Sequence, residues 1–144
     1  MDATAVSTRV AIREEPIDPA ALLAEVNRPD AGATALFLGT ARDHSPGKTG
    51  VTHLEYEAYR EHVEARLAEI VAEAVGTWEV LSVVVEHRVG RVEAGEASVA
   101  VAVSSAHRGD AFAAARYLID ELKARAPIWK REHWPGGAEW VEGA

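Results

Sequence analysis

Lys123 and Lys130 stand on either side of Pro127 in the segment LKARAPIWKRE (122–132). The residue before a proline avoids the helical region, so the spacing predicts one lysine on the last turn of a helix and the other in an extended run. Over 128–133 that run points Ile128, Lys130 and Glu132 one way and Trp129 and Arg131 the other. Two ammonium groups converging from opposite sides of a turn can grip an anion and move a proton. Each cation lowers its neighbour's proton affinity and partial burial lowers it further, which makes a lysine a better base or nucleophile. A single lysine at a core margin more often snorkels, and a charged surface ending is the plainer alternative for the pair.

Two other features share this chemistry. Arg42 follows ATALFLGT (33–40) and opens the polar stretch ARDHSPGKTG (41–50), which places an anion clamp beside a mobile loop at 43–50; the alternative is a solvated loop arginine. His107 and Arg108 lie in SSAHRG (104–109), where a strand runs into a helix. The unpaired first amides of a helix and its dipole favour an anion there, and arginine adds a fork of donors. The alternative has Ser104 or Ser105 capping the helix and His107 simply at the surface.

The charge distribution points the same way. Nine Lys/Arg and 17 Asp/Glu precede His107, whereas 107–131 holds six Lys/Arg against three acids. An acidic chain of net charge −8 has gathered its cations in one region, and such a field recruits small phosphates or carboxylates. The overall charge argues against nucleic acid as a partner.

The elements that must position these residues are legible. Strand patterns cover 6–12, 33–40 and 51–57, and 78–89 with 97–105 forms an antiparallel pair across GRVEAGE. Asp18-Pro19 starts a helix with Leu22, Leu23 and Val26 on its apolar face. Val63, Leu67, Ile70, Val71 and Ala74 mark one face of a second helix that stops near Gly76. A third runs over 109–125 with Phe112, Ala115, Leu118, Ile119, Leu122 and Ala126 as its stripe, Lys123 falling about 20° from Phe112. The tail from Trp134 reads as a turn and a short terminal segment. The expected class is α+β, a mostly antiparallel sheet with flanking helices.

At 144 residues, 48% hydrophobic and 26% charged, the chain fits one soluble domain over 1–144. No apolar run approaches the ~20 residues that span a bilayer, and the first residues lack the pattern of a secretory leader. There are no cysteines, which removes thiolate metal sites and Cys nucleophiles and fits the cytoplasm. Any sulfur chemistry must use sulfur carried by something else. His44, His53, His62, His87 and His133 show no metal-binding spacing, so neither a metal nor another cofactor is expected.

These segments together resemble the large, catalytic subunit of molybdopterin synthase. The resemblance rests on FLGTARDH (37–44), LEYEAY (54–59), HRVGRVEAGEASVAVAVSSAHRGDAF (87–112), W-V-E (140–142) and above all LKARAPIWKRE (122–132). It implies an α/β hammerhead-type fold and conversion of cyclic pyranopterin monophosphate into the molybdopterin dithiolene. The sulfur would come from the C-terminal Gly-Gly thiocarboxylate of a small ubiquitin-like carrier subunit, and the large subunit would form a homodimer at the centre of a heterotetramer. On the resemblance, Lys123 and Lys130 are catalytic. Arg42, His107 and Arg108 bind substrate, the last two reaching a pocket from a neighbouring protomer, and Phe37 and Arg131 contribute to the pocket wall. A non-catalytic anion- or partner-binding module of the same fold is the alternative, which the paired lysines disfavour. A stand-alone phosphate hydrolase lacks its metal ligands and nucleophile motif.

Overall fold

Asp18 caps the first helix. Its Oδ1 accepts hydrogen bonds from the amides of Ala20 and Ala21 at 3.1 and 3.3 Å, with Pro19 in the first helical position. The computed structural model describes residues 5–143, so the reading of the leader falls partly outside it. Strand β1 (Ser7–Arg13) precedes this helix, α1 (Pro19–Val26). Leu22 and Val26 are buried, but Leu23, grouped with them on the sequence, faces outward.

The first sheet has the order β1-β6-β8-β2, with β2 (Ala33–Thr40), β6 (Val80–Arg88) and β8 (Ala97–Ser105). The β6–β8 and β8–β2 pairs are antiparallel, and β1 joins β6 in parallel. β6 and β8 are buried along almost their whole length, which explains their near-continuous apolar runs. Helices α2 (Arg60–Thr77) and α3 (Arg108–Arg125) belong to the main core, while Leu22 and Val26 of α1 form a smaller cluster with Val84, Ala100 and Ala102.

The α2 face buries Val63, Leu67, Ile70, Val71 and Ala74 as the spacing predicts, although the helix continues through Gly76. On α3 the buried residues are Ala111, Ala114, Ala115, Leu118, Ile119 and Leu122. Phe112, expected in the stripe, is 67% exposed. The helix packs on β2 and β8, and alanines at 111 and 114 turn their small side chains to the sheet, which rotates Phe112 outward. Ser104 and Ser105 do not cap α3. Both are buried at the end of β8, the Ser105 hydroxyl donates to the His107 carbonyl, and His107 takes the cap position without a side-chain bond.

The second sheet, β10-β9-β5-β7, comprises β5 (His53–Ala58), β7 (Gly90–Glu93), β9 (Ile128–Trp134) and β10 (Gly137–Glu142), all antiparallel. β7 lies inside the GRVEAGE connection, and the short terminal segment expected after the turn at Trp134 is the strand β10. The segment expected to be a mobile loop contains the hairpin strands β3 (His44–Ser45) and β4 (Lys48–Thr49), with Gly47 at φ +76° in the turn. Pro127 breaks the chain as expected, since Ala126 is already extended. The class is the expected α+β, three helices on mostly antiparallel strands. Among the described residues no helix is long and apolar enough to cross a membrane.

Candidate active site

β9 carries Lys130 directly opposite Tyr56 of β5, and both face a cavity of about 210 Å³. Lys123 enters it from the last turn of α3, and Arg42 from two residues past β2. Gly39, Thr40, Ser98 and Glu132 complete much of the wall. The three cations that the sequence puts on a helix, a strand and a loop are thus brought together at the corner made by Pro127.

Burial pushes the half-buried Lys130 ammonium below the usual lysine range, and the charges of Lys123, Arg42 and Lys48 push the same way against the opposing Glu132. Burial drives the Glu132 carboxyl up, but the hydrogen bond from Lys48 and the charges of Lys48 and Lys130 outweigh it and hold the group ionised. Lys48, on β4, places its Nζ 3.0 Å from Glu132 Oε1 and 3.0 Å from Glu139 Oε2, and 5.1 Å from the centre of the Trp134 ring. The cavity therefore holds three cations around one carboxylate that is already engaged from behind, which suits an anionic ligand and a lysine able to give up its proton.

Behind Tyr56 lies His87, fully buried, with the two rings edge to face at 5.0 Å. Its Nδ1–H donates to the Arg88 carbonyl at 2.6 Å, leaving Nε2 buried without a hydrogen bond. Burial first, and the Lys123 charge after it, push this imidazole down to about 4, so it is neutral at ordinary pH.

The remaining expected residues lie elsewhere. Phe37 lines a second, apolar cavity of about 730 Å³ with Ala35, Phe112, Ala115 and Ile119, and Lys123 forms part of that wall too. Arg131 is on the opposite face of β9 from Lys130, its guanidinium 5.8 Å from the centre of the Trp140 ring. His107 and Arg108 are exposed at the start of α3, about 22 Å from Lys123 along the helix axis. A single chain does not join them to the lysines.

Lys48 and His87 were not legible as site residues. Lys48 sits in a polar loop without periodicity, and a lone histidine in an apolar strand carries no functional signal. His53, Glu55 and His133, a group with donor atoms close enough to share a metal ion, meet on the other face of the second sheet.

Known proteins match this chain in sequence and in fold. The MoaE protein family model matches residues 12–125. The molybdopterin synthase catalytic subunit of Thermoplasma volcanium is 48% identical over 127 residues, covering 88% of this chain and 92% of that protein. Its Bacillus subtilis counterpart is 41% identical over 133 residues, covering 92% and 84%. Among solved structures, molybdopterin synthase from Staphylococcus aureus aligns with a TM-score of 0.85 at 35% identity, over 91% of this chain and 95% of that one. The MoaE protein of Burkholderia ambifaria aligns at 0.79 and 37% identity, over 96% and 90%. With most of its length matched in both sequence and fold, the chain belongs to the MoaE protein family.

Proposed function

We propose that this chain is the catalytic subunit of a molybdopterin synthase and acts as a sulfurtransferase in the cytoplasm. The observation that carries the reading is the convergence of Lys123, Lys130 and Arg42 on one small polar cavity in a chain without cysteine. The substrate, cyclic pyranopterin monophosphate, is anionic, and the sulfur arrives on a partner: the thiocarboxylated Gly-Gly tail of a small ubiquitin-like subunit.

In each transfer the thiocarboxylate sulfur forms a C–S bond to a pterin side-chain carbon as a C–O bond there breaks, the oxygen staying on the phosphate as the cyclic ester opens in one transfer and leaving as water in the other. Water then cleaves the acyl–sulfur bond, leaving the sulfur on the substrate and a carboxylate on the carrier. Two such transfers build the dithiolene. Lys130, whose proton is loosened by burial, exchanges a proton with the reacting groups, and Lys123 stands beside the carrier's terminal carbonyl and stabilises charge as it develops there. Arg42 holds phosphate at the cavity mouth.

His107 and Arg108 join the site through a second copy of the chain. The exposed Phe112 and the apolar groove along α3 offer that copy a surface, and antiparallel apposition of two α3 helices would bring the start of one to the end of the other. The resulting homodimer would carry one small subunit at each end.

The test is reconstituted turnover with thiocarboxylated carrier and cyclic pyranopterin monophosphate. Dithiolene product that disappears in Lys123→Ala is the expected result. A stable complex with the carrier but no product from the unaltered chain would overturn the synthase reading in favour of a binding module.

A further inference from the structure

β5 and β9 set His53 and His133 directly opposite each other, with Glu55 two residues along β5 on the same face. This face looks away from Tyr56, Lys130 and the cation-lined cavity, and the sulfur chemistry makes no use of it. The two imidazoles stack with centroids 4.2 Å apart and planes 14° from parallel. Glu55 Oε1 is 2.7 Å from His133 Nε2 and 4.0 Å from His53 Nε2. One donor atom from each of the three residues lies within 4.8 Å of the others.

Two local details prepare these atoms as ligands. Thr52 Oγ1 stands 2.9 Å from His53 Nδ1 and donates its own proton to the His133 carbonyl at 3.4 Å. With that proton committed, the hydroxyl accepts from His53 Nδ1–H, so the lone pair of His53 falls on Nε2, toward Glu55. A hydrogen bond that fixes the tautomer from behind is the usual support of a metal-binding histidine. His133 Nε2 is shielded from solvent and makes no hydrogen bond despite its short approach to Glu55: the carboxylate oxygen stands off the line of the ring nitrogen. Two donors close together but out of line for sharing a proton are in position to share an ion.

We propose that His53, Glu55 and His133 form a binding site for a divalent transition-metal ion of the zinc class, which fastens β5 to β9. Two imidazoles and one carboxylate are a donor set that zinc accepts, with water free to complete a tetrahedron. Bonds of about 2.0–2.1 Å at tetrahedral angles require donor–donor edges of roughly 3.3 Å, and the two distances of 2.7 and 4.0 Å to Glu55 lie on either side of that value. An ion would lengthen one and shorten the other, and would splay the stacked rings so that each plane contains the metal. Because β9 also carries Lys130, the ion would stiffen the strand that holds this lysine without touching the cavity.

The test uses the full chain and Zn²⁺ alone, in competition with a chromophoric chelator, followed by the visible absorption of Co²⁺ in its place. One ion per chain is expected, with tetrahedral Co²⁺ bands and affinity at least about tenfold weaker in His53→Ala, His133→Ala and Glu55→Gln. The near-isosteric Glu55→Gln guards against loss of fold, and Lys123→Ala should bind as the unaltered chain does. Absence of binding tighter than about 100 µM, or binding that all three substitutions leave unchanged, would overturn the site. Neither outcome depends on sulfur transfer.

Discussion

Lys48 pairs with Glu132 beside Lys130. The Lys48 ammonium lies 3.0 Å from Glu132 Oε1, with both side chains largely buried, while Glu132 and Lys130 share the wall of the same cavity. The carboxylate that tightens the proton on Lys130 is shared with a lysine from the β3–β4 hairpin. Lys48→Ala should therefore raise the proton affinity of Lys130 twice over, by freeing Glu132 and by removing a cation. Each unit of rise costs about tenfold in the free-amine fraction. The pH–rate profile of sulfur transfer should move to higher pH, and Lys48→Arg should move it back. An unshifted profile in Lys48→Ala would show that the hairpin has no hold on the site.

Lys130→Arg separates charge from proton transfer. Arginine keeps the cation but does not release its proton near neutral pH. A loss of about 100-fold in turnover, with carrier affinity kept, is expected if Lys130 exchanges protons. Near-normal turnover in this variant would reduce Lys130 to an electrostatic clamp.

His87 should make the protein sensitive to mild acid. Its folded value is pushed down to about 4 from an ordinary 6.5, so the unfolded chain binds the proton first. The stability from keeping this ring neutral is complete above pH 6.5 and drains away as pH falls toward 4, a loss on the order of 3 kcal/mol. Thermal melts of His87→Phe across that window should show a flatter dependence than those of the unaltered protein. Parallel curves would mean that other groups set the acid limit.

Glu73 fastens α2 to the end of α3. Arg125 donates to both of its oxygens at 2.6 and 2.9 Å, and the Tyr117 hydroxyl donates to one of them. The hydrogen bonds from Arg125, then from Tyr117, hold the Glu73 carboxyl down to about 2 from 4.5. A depressed carboxylate stabilises the fold above its unfolded value and stops doing so as pH falls through the folded one. Glu73→Gln should lower Tm at pH 7, and its difference from the unaltered chain should close between pH 4.5 and 2. A difference that persists at pH 2 would point to packing instead of charge.

Much of this was legible in the sequence because periodicity reports burial directly. The bounds of β2, the α2 face, the Asp18 cap and the side of β9 that carries Lys130 follow from local pattern alone. Phe112 did not: bulk suggests core, but close packing on β2 and β8 places the alanines inward. The short strands β7 and β10 gain their order from partners far along the chain, and four to six residues beside glycines carry little periodic signal. The pairing of His53 with His133 is invisible for the same reason, since register between β5 and β9 creates it. The cation cluster was legible as residues but not as a cavity, because Lys48, which sets its charge balance, comes from a loop with no pattern.

Lys123 stands in the partition between the polar cavity and the apolar groove, part of the wall of both. Whatever covers the groove also strips water from one flank of this amine. In the proposed dimer, the water around this amine would therefore depend on assembly. In that sense the quaternary state would act as a safety catch on the chemistry.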